Sequence, residues 1–148
     1  MALSLIFLLY ATIAGLAGAG AIALSSRRLT LRAEPVAYGV LLAPIALYYL
    51  VFQAQLGSTG AGTPELLPAL GFAALGLAGT RLTPLLVLGY VGHGAWDLWH
   101  EVLMHLGQLG GFTPIPLAYG VFCAGFDWVV AGYCWTRRHA WAAAWRAA

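Results

Sequence analysis

Apolar residues fall into five blocks along this chain, separated by short polar or glycine-rich breaks. The first block runs from Leu3 to Leu24. "SSRRLTLRAEP" ends it, and Pro35–Leu56 follows, with the proline suited to a first helical turn. "GSTGAGTP" leads into Glu65–Gly79, and a short break around Arg81 leads into Thr83–Leu106. "GQLGGFTP" separates that block from Pro114–Trp135. A membrane-crossing helix needs roughly 20 apolar residues, and every block but the third is long enough. The third has about 15, or roughly 22 Å of helix, and contains Pro68, so it reads as a short crossing or a re-entrant segment. The tail "TRRHAWAAAWRAA" alternates Trp and Ala with arginine and predicts a short interfacial helix.

The first block has no basic flank before it and is too long for a secretory core, so it reads as a retained span. Ala11, Gly15 and Gly18 set small residues at helical spacing on it, which lets another helix approach closely. Arginine placement tests the count of crossings, because basic residues mark cytoplasmic loops. Arg27, Arg28 and Arg32 lie in the first break, Arg81 in the third, and Arg137, Arg138 and Arg146 in the tail. The second and fourth breaks have none. That alternation predicts five crossings, with the N-terminus outside and the C-terminus cytoplasmic.

Composition agrees. Of 148 residues, 61% are hydrophobic and only 8% charged, against about a quarter charged in a soluble domain. The expected fold is therefore an all-α integral membrane bundle, one domain spanning 1–148. The Ala, Leu, Gly and Arg bias suits a bacterial cytoplasmic (inner) membrane. A formal charge of +2 is too small to argue for nucleic acid. Cys123 and Cys134 share one helix about 16 Å apart, beyond the roughly 7 Å a disulfide spans.

The fourth block is unusual: "GYVGHGAWDLWHEVLMH" carries three of the four histidines inside an apolar run. At 100° per residue, Asp97 falls about 40° from His93 and His100 about 20° on the other side, with Glu101 flanking at about 80°. The fifth block offers Asp127 at the centre of a seam of Gly120, Cys123, Ala131 and Cys134, within about 40° of one line. Small seams allow tight helix contact. Counted from the arginine-bearing ends, His93 and Asp127 both lie about 15 Å deep. The two helices are thus expected to pack antiparallel with Asp127 against His93. His105 and His139 lie nearer the interfaces and read as structural.

A charge at the bilayer centre costs about 3 kcal/mol or more, so these groups need partners and a reason. Polar glue that fixes helix register is one reading, but interhelical hydrogen bonds average only about 0.6 kcal/mol. A divalent metal, Zn, Fe or Mn, suits an imidazole and carboxylate set drawn from His93, Asp97, His100, Glu101 and Asp127. "HEVLMH" places its histidines at i and i+5 instead of i and i+4, which excludes a zincin helix. The same five residues could act without metal, a neutral His as base and a buried carboxyl as acid, on a lipophilic substrate entering from the bilayer. Tyr48, Tyr49 and Gln53 could line such a pocket, although packing is the commoner role for those tyrosines. Cys123 as a nucleophile is a weak option, since buried thiols are usually inert. A non-catalytic subunit of a larger membrane complex, with His93 or His100 as axial ligand to haem or another pigment, is the alternative. A proton or ion conductor also fits a carboxylate–imidazole chain. Membrane lipid is the expected partner, with a homo-oligomer or larger complex open.

"GHGAWDLWHE" followed by "FDWVVAGY" resembles a family of small, uncharacterised bacterial polytopic membrane proteins. There a G-H-x-x-W-D-x-x-H helix precedes an F-D-x-x-x-A helix. The resemblance covers the C-terminal half and implies site roles for His93, Asp97, His100 and Asp127, without an activity. Many members carry a second His after the position of His100, where this chain has Glu101. Emopamil-binding sterol isomerases are a looser likeness, with no motif close enough to transfer roles.

Overall fold

The structure is a computed structural model that describes residues 2–56, 65–107, 113 and 116–147. It is all-helical: α1 (Ala2–Ser26), α2 (Ala33–Leu56), α3 (Leu66–Gly79), α4 (Thr83–His105) and α5 (Leu117–Arg146). α1, α2 and α5 are each long and apolar enough to cross a membrane, while α3 is apolar but shorter. α4 has the length, at 23 residues, but its polar stripe dilutes its hydropathy. The glycine-rich break at 57–64, residues 108–112 and the expected start of the last block at Pro114 lie outside the described residues.

Local chemistry sets the helix ends. Thr30 Oγ1 accepts the Ala33 N–H at 3.2 Å as α2 begins. Pro84 sits in the first turn of α4, where its missing N–H costs nothing. Gly107 follows α4 at φ 68°, the left-handed position that glycine fills at a helix C-terminus.

The tail departs from expectation. It is not a separate interfacial helix, because α5 continues unbroken for 30 residues to Arg146. Extending a helix already formed is far easier than starting one, alanine is its best propagator, and neither Gly nor Pro intervenes after Trp135. Trp141 on that extension is fully buried, so packing also holds it.

Packing follows the order α1, α5, α4, α3, α2, with the α4–α5 contact the most extensive and α2 touching α4 more sparingly. Small residues make these contacts possible. A Cβ on Gly15 of α1 would collide with the backbone of Phe122 on α5. A Cβ on Gly76 of α3 would stand 2.8 Å from the Gly39 carbonyl on α2. A Cβ on Gly94 of α4 would stand 3.1 Å from Ala124 Cα. The anticipated α5 seam is present, with Gly120, Cys123, Asp127, Ala131 and Cys134 all buried.

Arginines gather at one end of the bundle. The Arg81 guanidinium lies 4.9 Å from the Trp145 ring centre, and that of Arg32 lies 5.9 Å from it. At the other end the Thr113 N–H donates to Glu65 Oε1, so the two ends of α3 lie at opposite ends of the bundle. At the arginine end Glu34, fully buried, joins α1, α2 and α5. It accepts hydrogen bonds from Tyr133, from Trp141 Nε1 at 2.7 Å and from Arg137 Nη2 at 3.0 Å, and Ser26 Oγ reaches it at 3.4 Å.

Gly15→Leu is expected to push α1 off α5 at a cost of about 1–3 kcal/mol, the usual range for overpacking. Thermal unfolding in detergent should show a lowered midpoint, whereas Gly20→Leu, where an added Cβ meets no neighbouring atom within 4 Å, should be neutral.

Candidate functional site

All five acidic side chains of the sequence are buried to within 1% of full burial: Glu34, Glu65, Asp97, Glu101 and Asp127. Glu34 has Arg137. The other four share the bundle interior with two buried imidazoles, His93 and His100. Acid therefore outnumbers base two to one there, and the excess requires protons or a cation.

Helix α4 places His93 and Asp97 one turn apart on its inner face, and α5 brings Asp127 to them. His93 Nδ1 lies 2.7 Å from Asp127 Oδ2 and 3.4 Å from Asp97 Oδ2. The pairing inferred from matched depth is thus present. α2 supplies a fourth member, with Tyr49 Oη donating to Asp97 Oδ1 at 2.7 Å. The His93 ring meets Phe72 of α3 edge-on at 5.2 Å and Tyr49 at 6.5 Å. Four helices thus fix the group. Close approach of α4 and α5 at this level depends on Gly120, where a Cβ would stand 3.1 Å from the Asp97 carbonyl oxygen and would overlap the Glu101 side chain.

One donor atom from each of His93, Asp97 and Asp127 can be chosen so that all three lie within 4.8 Å of one another, a spacing that can hold a metal ion. Each also keeps a buried atom without a hydrogen-bond partner: His93 Nε2, Asp97 Oδ2 and Asp127 Oδ1. Leaving a buried polar atom unsatisfied costs about 1–3 kcal/mol. Three such atoms lie on neighbouring side chains, where a bound ion could meet them.

His100 and Glu101 do not join that group. They form a second cluster toward the end of the bundle opposite the arginines. His100 Nδ1 lies 3.1 Å from Glu101 Oε1, and His100 Nε2 lies 3.8 Å from Glu65 Oε1. Glu65 in turn takes the Thr113 N–H at 2.6 Å. The Tyr49 ring stands between the clusters, 5.3 Å from the His100 ring. Glu65 lies outside the five residues that periodicity brings together; an acid bordering an apolar block is its only signal in the sequence. Tyr49 was considered as pocket lining, but its bond to Asp97 depends on a partner 48 residues away.

A cleft of about 480 Å³ lies beside the three-residue group, between α2 and α5. Pro44, Ile45 and Tyr48 form its α2 wall, and Asp127 belongs to both the cleft and the cluster. Cys123, 4% exposed, lines it too. Gln53 is not among its lining residues.

Comparison with protein-family models, with characterised proteins and with solved structures found no match to this chain. The coordinates thus support a helical, multi-pass membrane protein whose buried His93, Asp97 and Asp127 could hold a metal ion.

Asp127→Leu alone removes the nearer of the two carboxyls that meet His93 and should cost about 3–5 kcal/mol, as breaking a buried pair does. His93→Leu with Asp127→Leu should cost clearly less than the sum of the single changes. A double-mutant cycle in detergent should give a coupling above about 1 kcal/mol, beyond the roughly 0.6 kcal/mol typical of interhelical glue.

Proposed function

We propose that this protein is an intramembrane enzyme that uses a divalent metal held by His93, Asp97 and Asp127 to act on a lipophilic substrate. One observation carries the reading: three buried donor residues from two helices, each with an unsatisfied atom, meet within ligand spacing beside an apolar cleft. Two carboxylates and an imidazole suit Zn, Fe or Mn. Three protein ligands leave a coordination position open, as in catalytic zinc sites. A bound ion would offset the excess of buried carboxylates, and it would supply a Lewis acid or an activated water. Tyr49 would then orient Asp97 from outside the ligand set, the usual task of a hydrogen bond behind a ligand. His100, Glu101 and Glu65 lie where a proton could pass between the centre and the bundle end.

The ring packing of His93 favours an ion over a tetrapyrrole. Phe72 and Tyr49 both lie against the imidazole, and a macrocycle needs open space around its axial ligand. The membrane reading is of five crossings, N-terminus outside and C-terminus cytoplasmic. Its support is that Arg32, Arg81 and Arg137, from the first loop, the third loop and the tail, gather at one end. A second reading, metal-free acid–base chemistry, rests on the 2.7 Å His93–Asp127 bond, which would hold the imidazole as a general base.

Elemental analysis of the detergent-purified protein, with a visible absorption spectrum, tests the proposal. About one equivalent of Zn, Fe or Mn per chain is expected, lost in His93→Ala and Asp127→Ala and kept in His105→Ala. A protein that takes up none of the three after chelation and reloading would contradict the metal reading and leave the acid–base one. A Soret or chlorophyll band would contradict both in favour of a pigment-binding subunit.

A further inference from the structure

The two helices that flank the cleft, α2 and α5, are tied to each other on either side of it along the bundle. At the arginine end, Glu34 of α2 is tied to Tyr133, Arg137 and Trp141 of α5. At the other end, Phe52 of α2 meets Tyr119 of α5 edge-on at 5.0 Å. Between these two closures Pro44, Ile45 and Tyr48 of α2 face residues 119–127 of α5 across the cleft. Pro44 contributes to that stretch of α2; it cannot donate the helical hydrogen bond to Val40, which loosens the helix there. Tyr48 on the wall is 48% exposed, whereas Asp127 at the inner side is fully buried. Entry is therefore lateral, from the surface that faces lipid.

Depth narrows what can enter. His93 stands ten residues from the first residue of α4 and twelve from the last. That is about 15 and 18 Å of helix, close to the middle of a hydrocarbon core about 30 Å thick. Lipid headgroups do not reside at that depth, and carrying one there would strip polar groups of water at a cost of several kcal/mol. A hydrocarbon chain is already there. The volume, about 480 Å³, falls among ordinary small-molecule sites, and the walls are aromatic and aliphatic with a single carboxylate at the inner side.

We propose that this cleft admits one hydrocarbon chain sideways from the bilayer core, so that the part of the substrate that reaches the buried centre is its apolar chain, not its headgroup. The inference rests on the reading of the His93 group as a reaction centre, and it names the substrate class as an acyl or isoprenoid chain presenting a mid-chain or chain-end group to Asp127.

Photolabelling of the intact protein in phosphatidylcholine nanodiscs tests it. One probe is a phospholipid with its diazirine at the chain terminus, the other carries it on the headgroup. The chain-terminus probe should label residues 44–48 and 119–127 several-fold more than the outward face of α1. The headgroup probe should leave that cleft unlabelled. Tyr48→Trp or Ile45→Phe, either of which fills the cleft without touching a proposed ligand, should cut the labelling several-fold while metal content stays unchanged. Labelling of the cleft by the headgroup probe, equal labelling of cleft and α1, or indifference to both variants would overturn the proposal. Cleft labelling in a protein that binds no metal would overturn the metal reading alone and leave the chain-entry proposal standing.

Discussion

Carboxylates buried in an apolar bundle must find partners, and the contact of Asp127 with His93 is where this structure meets that requirement between its two most extensively packed helices. The bond is 2.7 Å long and fully screened from solvent. It forms only because α4 and α5 approach across small residues, with Gly94 on one helix and Gly120 on the other. Were either position bulky, the helices would separate and both polar groups would be stranded. Asp97 and Tyr49 then attach to the same pair, which draws α2 into register as well.

Glu34 plays the corresponding part at the arginine end, but the outcome differs. Its oxygens are met by Tyr133, Trp141, Arg137 and Ser26, so nothing is left over for a ligand. That is the signature of a structural clamp. The His93 group has the same burial yet leaves an atom unsatisfied on each of three residues. The contrast within one molecule separates a polar group that holds the fold from one that can hold something else.

Periodicity made much of this legible beforehand. The five apolar blocks became five helices, and the His93, Asp97, His100 stripe emerged from a 100° plot because a helix places i, i+4 and i+7 on one face. The α5 seam was readable for the same reason, and depth counting paired Asp127 with His93. Three things were not readable. The alternation of Trp and Ala with arginine in the tail suits an interfacial helix, whereas α5 runs on through it to Arg146, with Trp141 buried against the bundle. Glu65 and Glu34 find their partners far along the chain, which no local pattern reports. The split of five expected site residues into two clusters follows the roughly 10 Å of helix rise between His93 and His100, each imidazole finding its partner on another segment, Asp127 for one and Glu65 for the other.

The central claim is that α4 and α5 bring an imidazole and a carboxyl group into contact inside the bilayer. Solid-state NMR on protein in lipid, labelled with ¹⁵N in histidine and ¹³C in aspartate carboxyls, measures that contact directly. The account requires a His93 ring nitrogen coupled strongly to the Asp127 carboxyl, as hydrogen-bond distance dictates, and loss of the coupling in Asp127→Leu. No coupling within about 6 Å, the outer reach of such a pair, would contradict it.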